Sequence, residues 1–88
     1  MIKLYKVSGD SMQPALKNNQ YIISEKLSYF FAKPKKNDII IFKNSDNKNL
    51  VKRIKFEETA QYFVASDNRG FSGFIKKELI LEKLLFKI

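Results

Sequence analysis

With 88 residues the chain has room for one small domain and a single modest core. Its composition, 44% hydrophobic and 14% aromatic, lies well above that of a disordered chain even at a formal net charge of +8. The absence of cysteine and histidine excludes disulfides and thiolate sites and removes the commonest metal ligand, so neither a metal nor a cofactor is expected. No apolar run approaches the roughly 18 residues of a membrane-spanning helix, and the start MIKLYKVSGD lacks the apolar stretch of an export signal. The chain as written is expected to be cytoplasmic or peripheral to a membrane. Lysine dominates its basic residues, with Arg53 and Arg69 the only arginines. Readers of base edges lean on clustered arginine, so the excess charge is expected to solvate the surface and no nucleic-acid partner is expected. A basic β-barrel that stacks single-stranded nucleic acid on its Tyr and Phe rings is the alternative.

In chain order, Ile2 to Val7 alternates apolar residues with lysines and predicts a strand that runs into a Gly-containing turn. Ser11 to Leu16 predicts one helical turn, entered at Ser, Asp and Pro and ended by Asn18 and Asn19. Tyr21 to Leu27 predicts a second strand. AKPKKND reads as a solvated turn around Pro34. Asp38 to Phe42, Leu50 to Phe56, Gln61 to Ala65 and Ile80 to Phe86 predict further strands, with a turn-rich segment from Ser66 to Gly73. The expectation is an all-β fold, a small antiparallel coiled sheet or open barrel of six or seven short strands, forming a single domain over residues 1–88.

Two residues carry the chemistry. Ser11 lies in KVSGDSMQPAL, and Lys52 lies in NLVKRIKF. A serine hydroxyl is a weak nucleophile until a base takes its proton, and without histidine the base must be another group. A solvated lysine is protonated at neutral pH, but burial disfavours the ammonium and lowers its pKa. Period-two alternation sets Lys52 on one face with Leu50 and Ile54, and turns Val51 and Arg53 to the other. On spacing alone the favoured readings are a surface lysine of an edge strand for Lys52 and a helix N-cap for Ser11. The backbone N–H of Ser11 is a candidate oxyanion donor. Asp10, with no histidine to orient, reads as a turn residue.

The string SGDSMQPALKNNQYIISEKLSYFFAKPKKNDIIIFKN, followed by NLVKRI and YFVASDN, resembles the type I signal peptidase family, the Ser–Lys proteases that trim leader peptides. The self-cleaving repressors share the Ser-Met pair and a downstream lysine but are less similar. The resemblance implies that Ser11 is the nucleophile in a turn shaped by Gly9, Met12 and Pro14, and that Lys52 is the general base. It further implies that Asp67 and Asn68 close a supporting loop beside the dyad, with Ser72 holding the lysine ammonium. The expected partner is a protein or peptide substrate with an extended leader, added by β-augmentation between the Ile2–Val7 and Leu27–Ala32 strands. Shallow pockets lined by Ile2, Leu4, Tyr29 and Phe31 then admit only small side chains, unless those residues form core instead. The expected activity is a serine endopeptidase cutting a leader or propeptide after a small residue. A catalytically silent peptide-binding module of the same fold is the alternative. The chain departs from the family pattern in the ten residues that precede Ser11, where an anchor is usual, in Asn19 and Asn37 at glycine positions, in Ser66 before Asp67, and in the shortened stretch after Asn68. Tyr29, Phe30 and Phe31 among Lys26, Lys33, Lys35 and Lys36 have a second possible use, peripheral contact with an acidic membrane.

Overall fold

Short runs of β-branched and aromatic residues, cut by Asn, Gly and Pro, fold into seven strands that all join one antiparallel sheet. The structure, a computed structural model, describes residues 2–88. The strands are β1 (Ile2–Lys6), β2 (Tyr21–Glu25), β3 (Ile39–Lys43), β4 (Asn49–Glu58), β5 (Gln61–Ala65), β6 (Ser72–Lys76) and β7 (Ile80–Lys87). Their order across the sheet is β1-β2-β7-β3-β4-β5-β6, an open sheet whose edges are β1 and β6. Among the described residues no helix is long and apolar enough to cross a membrane.

Two expectations about elements are corrected. The Leu27–Ala32 segment is not a strand: Ser28–Phe31 forms a helical turn, α1. Its entry is fixed locally, because the Ser28 N–H donates to Glu25 Oε1 at 2.8 Å and supplies a partner that a first helical turn lacks. The segment Ser66–Gly73 is not all turn either. Its end opens β6, which pairs along the whole of β5 from Ala65↔Ser72 to Gln61↔Lys76.

β3 pairs with β7 and β4 along its two edges, and each of its faces packs into a core cluster, which is why it reads as a continuous apolar run rather than an alternating one. Ile40 and Phe42 join Ile54, Tyr62, Val64 and Ile75 in one core cluster, while Ile41 turns to the other face and joins Val7, Met12, Leu16 and Ile22. The second cluster matters most for function. Met12 and Leu16, each 1% exposed, pin the segment after Ser11 onto the sheet, and the Leu16 N–H closes the turn on Met12 O at 2.8 Å. Loss of either side chain to alanine is expected to cost about 2–5 kcal/mol and to release Ser11 from its place. Asn19 and Asn37 adopt φ of 67° and 76°, a left-handed conformation that asparagine accepts better than other side chains.

Candidate active site

The register between β3 and β4 fixes Lys52. Cross-strand partners share a face, and Ile40↔Lys52 therefore enters the lysine in the row of Ile40, while Ile39↔Arg53 turns the arginine to the opposite side. Lys52 is 6% exposed, and burial holds its ammonium pKa below the ordinary value near 10.5. Its Nζ lies 3.0 Å from Ser11 Oγ, a contact between residues 41 positions apart. Beside them is a cavity of about 140 Å³, lined by Tyr5, Val7, Ser8, Ser11, Met12 and Lys52 among others.

Three further contacts hold the serine from behind. The Asn68 N–H donates to Ser11 O at 2.8 Å and Asn68 Nδ2 donates to Asp10 O at 3.1 Å. The Asp67 N–H donates to Met12 Sδ at 3.4 Å. The Asp67 side chain is itself fixed by a bidentate pair, Arg53 Nε to Oδ1 and Nη2 to Oδ2, both 2.8 Å. That pairing holds the Asp67 carboxyl below, and the Arg53 guanidinium above, their ordinary values. Gly9 provides the bend before the serine with φ of 92°, and Pro14 lies exposed in the following turn.

The other residues singled out in the sequence are not brought to this site. Ser72 is exposed on β6, paired with Ala65, which in turn pairs with Arg53. It belongs to the row of Arg53, the face opposite Lys52, and makes no hydrogen bond to that lysine. Ile2 and Leu4, 70% and 58% exposed, lie on the outer face of β1, because Tyr5 and Val7 take the inward positions of a period-two strand. Tyr29 packs against the first core cluster and donates its hydroxyl to Asp38 Oδ2 at 2.8 Å. Burial first, and this bond to a carboxylate second, raise its pKa. Phe31 is 84% exposed on α1.

Three residues at the site are not among the sequence candidates. Ser8 lines the cavity with Ser11. Arg53, which alternation sends towards solvent, is half-buried and anchors the loop that holds the serine. Its identity was the available signal: in a chain with only two arginines among many lysines, a planar guanidinium marks a bidentate partner. Ser66 is the third, its Oγ buried with no hydrogen-bond partner.

Residues 1–55, which hold both Ser11 and Lys52, match the family described as Signal peptidase, peptidase S26. The chain is 38% identical over 50 residues to Signal peptidase I V of Bacillus subtilis (strain 168), an alignment covering 57% of this chain and 30% of that protein. It is 30% identical over 96 positions to the chloroplastic Thylakoidal processing peptidase 1 of Arabidopsis thaliana, covering 93% of this chain and 28% of that one. The chain belongs to the S26 signal peptidase family, and spans less than a third of the length of either of these curated relatives.

Proposed function

We propose that residues 1–88 form a catalytic domain of a serine endopeptidase, in which Ser11 attacks the scissile carbonyl and Lys52 is the general base. The observation that carries this reading is the 3.0 Å approach of Lys52 Nζ to Ser11 Oγ, made by a lysine that is almost wholly buried. In the neutral amine the Nζ lone pair accepts the Ser11 proton as Oγ bonds to the carbonyl carbon. The ammonium then returns that proton to the leaving amine, and the acyl-enzyme is released when Lys52 activates water for the second half of the reaction. The Ser11 N–H is one donor for the developing oxyanion, and the Ser8 hydroxyl, in the same cavity, is the second.

The substrate is a peptide in extended form, cut after a small residue. The space beside Ser11 is only about 140 Å³ and its walls include Val7, Ile22, Ile41 and Val51, which leaves little room for a long side chain at the residue before the cut. β1 is an edge of the sheet, so its free edge can pair with the substrate backbone. Leader or propeptide removal is the task this chemistry fits, as in the processing and signal peptidases it resembles.

The test is cleavage of extended peptides with Ala, Leu or Phe before the scissile bond. Wild-type protein is expected to cut the Ala peptide best, and Ser11→Ala and Lys52→Ala to be inactive while remaining folded. Full activity in either variant would end the proposal.

A further inference from the structure

Ser66 occupies a place in the sheet that nothing in the mechanism so far uses. The β4–β5 ladder ends at Arg53↔Ala65, and continuing its register by one residue sets Ser66, just beyond the end of β5, across from Lys52. Parity agrees: Val64 lies in the row of Ile54, and two residues on, Ser66 falls in the row of Lys52. Its Oγ is buried and lacks any hydrogen-bond partner, a costly state for a hydroxyl unless it serves something. The loop beyond it folds back through Ser66 N–H to Phe71 O at 2.9 Å, and brings Gly70 over both serines. A Cβ at Gly70 would meet Ser66 Oγ at 3.1 Å and Ser11 Cβ at 3.9 Å, so one spot behind the site is bounded by the nucleophile and by the unpartnered hydroxyl together.

We propose that Ser66 is the positioning residue for Lys52: its hydroxyl oxygen accepts an N–H of the lysine as the amine turns to take the Ser11 proton. This rests on the Ser11–Lys52 reading of the site. A neutral lysine amine is a base along one direction only, that of its lone pair, and its two N–H groups are otherwise free to rotate away. An acceptor on the β5 side fixes that rotation and aims the lone pair at Ser11 Oγ. When Nζ becomes an ammonium the same oxygen stabilises the new charge. Ser66 is the buried hydroxyl left over for this, since Ser8, at the exposed rim of the cavity, is assigned to the oxyanion. Arg53 and Asp67 are paired with each other, Tyr5 donates to Glu82 and Tyr29 to Asp38, Lys6 at the cavity rim has no acceptor, and Ile40, opposite on β3, is apolar. Ser72, on the other face, has no part in it.

Two measurements test this on the full chain. In peptide cleavage, Ser66→Ala is expected to lower kcat about 10–100-fold with KM little changed, while Ser66→Thr restores part of the rate and Ser72→Ala has no effect. In NMR titration of labelled lysine, which needs no turnover, Ser66→Ala is expected to move the Lys52 pKa further down. The acid limb of kcat/KM should shift to lower pH with it. A merely structural serine would lower Tm without moving either. An unchanged rate and Lys52 titration in Ser66→Ala, or a loss of rate in Ser72→Ala, would overturn the assignment. If wild-type protein cuts nothing, the peptidase reading fails, and the titration still decides whether Ser66 touches Lys52.

Discussion

The Ser11 turn and the α1 turn are both short interruptions between strands, and they are built in opposite ways. The first is held at its backbone from the 66–71 loop and at its side chain from β4, with Met12 and Leu16 sunk into the core. The second is anchored by Tyr29 and by the Ser28–Glu25 bond at its entry, and leaves Phe30 and Phe31 at 74% and 84% exposure. In the first region polar atoms are spent on fixing one hydroxyl and one amine. In the second, apolar surface is left in water. Rigidity therefore belongs to the chemistry, and any contact that needs only adhesion belongs to α1.

The largest effects should come from the two reacting groups. Lys52→Ala and Lys52→Arg are each expected to reduce peptide cleavage by at least about a thousandfold, the arginine because a guanidinium cannot serve as a base at ordinary pH. Lys52→Met should abolish activity and yet raise stability at neutral pH, measured by urea melts, since it removes a buried amine. The pH dependence follows from the same fact. The folded pKa of Lys52 is depressed, so between that value and the unfolded one the folded state binds fewer protons than the unfolded state. Wild-type stability should rise with pH across that window, activity should rise through the depressed value, and Lys52→Met should lose its share of the stability slope.

Next in size is the support of the serine. Asp67→Asn is expected to cost about 2 kcal/mol, a fall in Tm of roughly 8–16 °C for a domain of this size. The folded pKa of this carboxyl is lowered, so its contribution is full above its ordinary value near 3.8 and is lost as pH falls through the folded value. Thermal melts from neutral to acid pH should show wild type and Asp67→Asn converging at the acid end. Gly70→Ala, at φ of 139° and close to Ser66 Oγ, is expected to lose about 1–3 kcal/mol and activity with it. Equal tolerance of changes in the Ser11 support and in α1 would break the comparison. The smallest effect belongs to α1: Phe30→Ser with Phe31→Ser should change stability by no more than about 0.5 kcal/mol. A large loss would mean that these rings pack against something in the protein.

Much of the fold was legible because alternation on a half-buried strand is a direct record of facing. β5 was read with its observed limits, Gln61–Ala65, and Leu50, Lys52 and Ile54 were placed on one face of β4. The Ser11 and Lys52 candidates were readable as residues, though their 3.0 Å meeting depends on a non-local register that no local pattern carries. Where reading failed, the cause was local. In Leu27–Ala32 the aromatic run has β propensity, but a single Glu25 carboxylate at the first turn favours helix. On β1 the strand was found and its parity missed, since Ile2 and Leu4 are as apolar as Tyr5 and Val7, and only the Met12–Leu16 segment above them decides which pair faces in. Ser72 and Ser66 differ by the fold of one loop, and its hydrogen bond from Ser66 to Phe71 could not be read from composition.

The central claim is that a buried lysine activates Ser11, and reaction with a serine-directed phosphonate followed by mass spectrometry tests it most directly. The account expects one adduct on Ser11 in the wild-type chain, formed at a rate that rises with pH through the depressed Lys52 pKa, and almost none in folded Lys52→Ala. Labelling of Ser11 at the same rate in Lys52→Ala, or no labelling of the wild-type protein at any pH, would contradict it.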